Sequence, residues 1–174
     1  MNVDTSHPRL SISSSRIGKI IETLASWLTV IGLAVAPPML RIALAVPFFK
    51  SGLTRWDGFL SLSPSTEFLF SDMFKLHIFG NEYPFPMPDV VAHLVGMAEI
   101  TLPILLVLGL GTRFVALALL VMTGIIQLTV PEGWANFHLP WASMALAIMA
   151  LGPGRLSLDA VIAIVSKREF RKTK

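Results

Sequence analysis

Long apolar segments without charged residues dominate the pattern of this 174-residue chain. Residues 23–40, 114–131 and 133–154 contain no Asp, Glu, Lys or Arg, and residues 90–112 contain only Glu99. A helix needs about 20 consecutive apolar residues to cross a hydrocarbon layer roughly 30 Å thick. The pattern therefore predicts an all-α integral membrane protein that forms a four-helix bundle.

The four membrane spans of this bundle are each bounded by proline, glycine or a polar turn, which are the usual signals at helix ends. Short turns join the second span to the third and the third to the fourth, so these helices are predicted to be antiparallel neighbours. The predicted spans are about 36–56, 88–108, 113–130 and 138–152.

The segment before the first span, residues 16–35, has apolar residues at helical spacing and polar residues on the opposite face. This pattern predicts an amphipathic helix in the membrane interface, ended by Pro37 and Pro38. The alternative is that it forms the front of one long first span. Residues 1–15 are polar and Ser-rich and are predicted to be disordered.

Hydroxyl residues mark the other predicted helix starts. In the long connection at 57–87, Ser63 is expected to cap a short helix that runs through Phe74. Thr112 is expected to cap the third span, and Ser157 a final helix over about 158–170.

Basic residues are distributed unevenly between the two sides of the predicted spans. Ten of the 14 Lys and Arg residues fall on the side of the termini, including those of the basic tail at 166–174. The other side holds Lys50, Arg55 and Lys75, and Arg41 lies inside the first span. Because cytoplasmic loops carry the positive excess, both termini are predicted to be cytoplasmic.

The amino-acid composition limits which partners and which chemistry this chain can have. Charged residues make up 14% of the chain, against about 25% in soluble domains. There is no cysteine, which excludes disulfides, thiolate metal sites and a cysteine nucleophile. The basic residues flank spans and do not form an aromatic-interleaved patch, so the predicted partner is the lipid bilayer and not a nucleic acid.

Glu99, near the middle of the second span, is the main polar anomaly. A carboxylate at this depth is costly and is expected to face the bundle interior and to be paired. Arg41 in the first span is its predicted partner, giving a buried polar core. Such a pair either fixes the register of the helices or places a carboxylate that handles protons or orients a ligand.

A second group of polar side chains is predicted at similar depth in the outer leaflet: His93, Gln127 and His138. They could hydrogen-bond the carbonyls of a quinone headgroup, with the rings of Trp134 and Trp141 beside it. The alternative is ordinary interhelical hydrogen bonding.

A metal site is the weaker interpretation of the histidines. The available donors are His77, His93, His138 and Glu99, and no two of them fall at a ligand spacing such as i, i+4. No metal is therefore predicted, and no catalytic residue is assigned.

Four short motifs follow one another along the chain. The first is Arg41 followed by the segment at 48–55, which ends in Arg55. The remaining motifs are Glu99 with Pro103, the segment Gly-Leu-Gly-Thr-Arg at 109–113, and the segment Gly-Pro-Gly-Arg-Leu-Ser-Leu-Asp at 152–159. In this order they make the chain similar to the DoxX family over most of residues 38–165, within the predicted four-span domain at 36–165. Arg55 stands where the family usually has a lysine.

The resemblance implies a four-span protein of the bacterial plasma membrane. The family takes its name from a small subunit of an archaeal quinone-linked thiosulfate oxidoreductase, and other members are associated with redox or oxidative-stress systems. The expected function is thus a subunit or accessory of a membrane redox system, and any activity would be that of a non-catalytic or quinone-contacting subunit of an oxidoreductase. Besides lipid and quinone, the expected partner is a redox protein or a second copy of the chain. A ligand-free scaffold or assembly factor is the main alternative, and a small transporter is a weaker one.

Overall fold

The computed structural model describes residues 16–172, with side chains described through Arg168. The tail predicted to be disordered, residues 1–15, lies outside the described residues. By its internal contacts the chain divides into two units, residues 1–33 and 34–174. In the first unit, residues 16–33 are helical and their large apolar side chains are exposed.

The described residues form α-helices, two small hairpins and three short irregular helices. The α-helices are α1 (Arg16–Leu53), α2 (Pro64–Phe68), α3 (Pro88–Leu108), α4 (Thr112–Thr129), α5 (Leu139–Leu151) and α6 (Leu158–Lys172). The strands are β1 (Trp56–Gly58), β2 (Ser61–Leu62), β3 (Lys75–Ile78) and β4 (Asn81–Pro84). Two π-helical turns (Leu69–Met73 and Trp134–His138) and a 3₁₀ turn (Pro131–Gly133) complete the order.

Three helices of the described part of the chain, α1, α3 and α4, are long and apolar enough to cross a membrane. The bounds of α3 are those predicted, and those of α4 differ from the prediction by one residue at each end. The fourth predicted span corresponds to α5, which has 13 residues and follows directly after the second π-helical turn.

The first span departs from the prediction at both ends. Instead of breaking at Pro37 and Pro38, α1 continues through both prolines over 38 residues. Each proline removes one backbone hydrogen bond but leaves those of the neighbouring turns, which is tolerated in long apolar helices. At the other end α1 stops at Leu53, and Trp56 belongs to β1 and not to the span.

The main core of the second unit lies where α1, α3, α4 and α5 meet. α4 and α5 pack together most extensively, as expected of neighbours joined by a short connection. Many large apolar side chains on the outer faces of these helices remain exposed, for example Leu94, Val121 and Leu146. This pattern suits helices surrounded by lipid, where small side chains let backbones approach. The core residues are Leu44, Ala45, Phe48, Leu106, Val115, Ala116, Leu119, Ala145 and Ile148.

The connection between α1 and α3 is a folded segment and not an open loop. β1 pairs with β2 and β3 with β4, both antiparallel, and neither hairpin was predicted. Ser63 caps α2 as predicted, because its hydroxyl accepts a hydrogen bond from the Thr66 N–H. The short helix ends at Phe68, however, and a π-helical turn continues to Met73. A second core cluster, Leu62, Phe70 and Ala92, ties this segment to α3.

Candidate functional site

The carboxylate of Glu99 is buried in an ion pair with Arg55. The Arg55 Nε lies 2.9 Å from Glu99 Oε2 and its Nη2 lies 3.2 Å from Oε1, so the contact is bidentate. The Ser51 hydroxyl donates a third hydrogen bond, 3.1 Å long, to Oε1. The exposed fraction of the Glu99 side chain is 3% and that of Arg55 is 13%. The pairing of Glu99 with Arg41 predicted from the sequence is therefore wrong.

Close packing between α1 and α3 explains this pairing. Gly52 faces the backbone of Glu99, and a Cβ at position 52 would lie 2.9 Å from the Glu99 carbonyl carbon. The end of α1 thus lies beside the middle of α3, and Arg55, two residues after that end, is level with the carboxylate. The Arg55 guanidinium also stacks over the ring of Phe70, 5.5 Å from its centroid. Three hydrogen bonds from Arg55 and Ser51 thus provide the buried carboxylate with partners on both oxygens.

Trp56 extends this polar group toward the start of α3. Its ring lies against Gly96, where a Cβ would be 2.7 Å from the ring, and it meets the His93 ring edge-on at 5.9 Å. The indole N–H of Trp56 is buried and has no hydrogen-bond partner among the described residues.

Arg41 lies at the opposite end of α3, where it binds backbone carbonyls. Its Nη1 donates to the Val107 carbonyl at 3.2 Å and its Nη2 to the Leu156 carbonyl at 2.5 Å. Both the cation and its donors suit the last turn of a helix, where carbonyls lack partners. Gly109 leaves room for it, since a Cβ there would collide with the Arg41 guanidinium. Arg41 is thus 2% exposed and joins α1, α3 and the segment before α6.

At the start of α4, Asp159 binds backbone N–H groups, as Arg41 binds a backbone carbonyl at the end of α3. Its carboxylate accepts hydrogen bonds from the Gly111 N–H (2.8 Å), the Thr112 N–H (2.9 Å) and the Thr112 hydroxyl (2.8 Å). Burial would raise the pKa of Asp159, but the hydrogen bonds from Thr112 and Gly111, with the charge of Arg41, bring the pKa below its ordinary value.

These contacts change one of the two predicted caps at this end of the molecule. The N-cap of α4 is Gly111, in a left-handed conformation (φ 60°), and the Thr112 hydroxyl binds Asp159 and does not cap its own helix. Ser157 caps α6 as predicted, since its hydroxyl accepts the Ala160 N–H at 3.2 Å. The motifs at 109–113 and 152–159 therefore form one structural clasp, with Arg41 at its centre.

Of the predicted outer cluster, the structure brings together His138, Gln127 and Trp141. The His138 Nδ1 lies 2.6 Å from Gln127 Oε1, and the Gln127 amide nitrogen donates to the Pro131 carbonyl at 3.2 Å. Because the amide nitrogen must face that carbonyl, its oxygen faces His138, which places the imidazole proton on Nδ1. In the neutral imidazole, Nε2 then carries no proton, and this nitrogen lies against Gly133.

Aromatic rings and a glycine surround this imidazole. His138 is 3% exposed and its ring lies 5.5 Å from that of Trp141, which also contacts Phe137 at 6.0 Å. Gly133 lies so close to the imidazole that a Cβ there would be 2.5 Å from it. The arrangement positions one hydrogen-bond acceptor beside flat apolar rings.

The remaining predicted residues lie elsewhere. His93 bonds through Nδ1 to the Asp89 carbonyl of its own helix (2.7 Å), and its ring contacts Trp56, so it belongs to the Glu99 side of the molecule. Trp134 is half-exposed. Within the described residues no group of three or more His, Asp or Glu side chains is placed to hold a metal ion.

Comparison with known proteins gives a family and one similar relative. The DoxX family model matches residues 36–132. An uncharacterised protein of Haemophilus influenzae is 29% identical over 144 residues, which cover 76% of this chain and 86% of the relative. No solved structure matches. Since the family match covers more than half of the chain and the helices suit a bilayer, the protein is a membrane protein of the DoxX family.

Proposed function

We propose that the protein is a four-span subunit or accessory of a bacterial inner-membrane redox system, which binds quinone. The observation that carries the proposal is the His138–Gln127 pair beside Trp141. A buried imidazole with its proton fixed on Nδ1 presents an acceptor at Nε2. The hydroxyl of a reduced quinone is the matching donor, and the rings of Phe137 and Trp141 match its flat headgroup.

The proposal includes α5 as the fourth span. α5 and the π-helical turn before it form 18 consecutive helical residues, 134–151, with no charged side chain. Four spans place both termini on one side, and the ten basic residues on that side favour the cytoplasm.

The experiment compares His138, the last residue of the second π-helical turn, with His93 of α3. Wild type, His138→Ala and His93→Ala are purified in nanodiscs and titrated with a short-chain ubiquinol, with tryptophan fluorescence as the readout. We expect His138→Ala to weaken binding at least tenfold, equivalent to about 1.4 kcal/mol. His93→Ala, the matched control, removes a histidine bonded to its own helix and is expected to bind as wild type does. Equal affinities of all three proteins would refute the site.

A ligand-free scaffold is the second candidate function, and the folded outer segment favours it. The segment between α1 and α3 carries exposed acidic residues, among them Glu67, Asp72 and Glu82. Replacing these three acids by their amides removes three negative charges and leaves the residues of the buried cluster around Phe70 unchanged. A redox partner lost from the triple variant, together with no quinol binding by wild type, would favour the scaffold.

A further inference from the structure

The tips of both outer hairpins carry phenylalanines that are almost completely exposed. Phe59 lies between β1 and β2 and is 97% exposed, and Phe79 lies between β3 and β4 and is 99% exposed. Neither turn contains a charged residue, the two turns being residues 58–61 and 78–81. Leu60, next to Phe59, is 53% exposed, so the first tip presents two adjacent apolar side chains, and adjacent exposed apolar groups mark contact surfaces.

The backbone conformation at these tips is one that large apolar residues rarely adopt. Leu60 and Phe79 have positive φ angles (55° and 51°), a conformation that Gly, Asn and Asp adopt more readily. Hairpin turns of this kind normally carry these small or polar residues. The apolar side chains at the tips are therefore better explained by what they contact than by the geometry of the turn.

The second hairpin lies at the outer end of a membrane-spanning helix. β3 packs against α4, and the His77 imidazole bonds to the Leu128 carbonyl at 3.1 Å. Leu128 is the next-to-last residue of α4. Phe79, two residues beyond His77, therefore lies near the level at which this span leaves the hydrocarbon.

The first hairpin lies beside the outer half of α3. Trp56, at the start of β1, packs on Gly96, and Leu62, at the end of β2, is buried with Ala92. At 1.5 Å per residue, Ala92 and Gly96 are about 6 and about 12 Å along the helix from Pro88, where it begins. The hairpin is only seven residues long, so Phe59 is also held close to the outer boundary of the bilayer.

We propose that Phe59 and Phe79 insert into the outer leaflet and anchor the hairpins in its interfacial region. Lipid fits better than a protein partner because both tips lie next to spans, are uncharged and belong to separate hairpins that share no strand. Polar side chains such as Lys75 and Glu82, which pair at 3.2 Å on the second hairpin, lie behind the tip. The inference rests on the membrane location and, for the side of the membrane, on the proposed topology, and it is independent of quinone binding.

Site-directed spin labelling tests this directly, because the chain has no cysteine. Phe59→Cys and Phe79→Cys are labelled in nanodiscs, and their collisions with oxygen and with a water-soluble nickel chelate are measured. Glu67→Cys serves as the water-exposed control and Leu117→Cys, on the outer face of α4, as the lipid control. We expect an oxygen-to-nickel ratio at both tips that is severalfold above that of position 67 and below that of position 117.

Two results would overturn the proposal. Ratios equal to that of position 67 place the tips in water, and low accessibility to both reagents places them against protein. Phe59→Trp and Phe79→Trp provide a conservative check, since brominated lipids should quench each added tryptophan. An added fluorescence that brominated lipids leave unchanged contradicts the anchoring even if a cysteine variant folds poorly.

Discussion

Glu99 in the middle of α3 is bound by Arg55, which lies two residues beyond the end of α1. The pair is bidentate, receives a further hydrogen bond from Ser51 and is almost completely buried. A buried pair of this kind fixes how two helices are placed along each other, because neither charge has an alternative partner in lipid.

Removing one member of this pair should strongly destabilise the protein. Arg55→Met leaves the Glu99 carboxylate buried without its cation. We therefore expect the free energy of unfolding to fall by about 3–5 kcal/mol. The double variant Arg55→Met with Glu99→Gln should recover part of that loss. Reversible unfolding in mixed micelles measures both.

The exposed pair Lys75–Glu82 is the matched control for this experiment. Its side chains are 44% and 57% exposed, so Lys75→Met should lower the free energy of unfolding by about 1 kcal/mol or less. Equal losses from the two single variants would contradict a special role for Arg55.

Gly52 should tolerate no side chain. A Cβ there would lie 2.9 Å from the Glu99 carbonyl carbon and from Ile100 Cγ1, so α1 and α3 would have to move apart. Gly52→Ala is expected to cost about 1–3 kcal/mol. Gly124→Ala is the control, because apart from the neighbouring backbone of its own helix no described atom lies within 4 Å of the added methyl group. A thermal midpoint for Gly52→Ala at or above that of Gly124→Ala would argue against this helix contact.

Asp159, in the clasp formed by residues 109–113 and 152–159, should contribute stability that depends on pH. Its folded-state pKa lies below the ordinary value, so its contribution is present at neutral pH and is lost as the pH falls through the folded-state pKa. Asp159→Asn should cost about 1.5–3 kcal/mol at pH 7. The difference in the free energy of unfolding between Asp159→Asn and wild type should disappear as the pH falls below about 4.

Thermal midpoints of both proteins across pH 3–8 measure this difference. The exposed Asp57→Asn variant serves as a control and should follow wild type throughout. A difference that stays constant over the whole range would show that the charge of Asp159 is not what stabilises the clasp.

Impermeant maleimide labelling tests the topology. With both termini in the cytoplasm, Asn81→Cys should label on intact cells and Ser166→Cys only after the membrane is permeabilised. Because the chain has no native cysteine, each signal comes from one position. Labelling of both positions on intact cells would indicate three spans.

The sequence predicts the elements whose ends carry strong local signals. Pro88 and Gly109 bound α3 as expected, and Ser63 and Ser157 are caps. These features depend on a few neighbouring residues. The membrane character follows equally directly from the absence of charge in the long segments.

The partner of Glu99 could not be predicted because it depends on the relative heights of two helices. Placing Arg55 at the outer surface assumed that α1 crosses the full bilayer beside α3, whereas α1 ends next to the middle of α3. The motif around Gly52 held the relevant signal, since a glycine there allows this close approach. The role of Asp159 likewise requires two motifs that are far apart in sequence to meet.

The hairpins were missed for a different reason. Their strands have two to four residues, which is too short for an alternating pattern to be recognised. The two π-helical turns each depart only slightly from an α-helix, so the sequence pattern around Leu69 and Trp134 does not reveal them.

Quinone retained by the purified protein is the most direct measure of the proposed role. Wild type, His138→Ala and His93→Ala are extracted gently from the native membrane, and the sum of quinone and quinol per protein is measured by mass spectrometry against bulk phospholipid. Wild type and His93→Ala should retain quinone well above its ratio in the membrane lipid, and His138→Ala should lose this excess. Wild-type protein with no more quinone than the surrounding lipid supplies would contradict quinone binding.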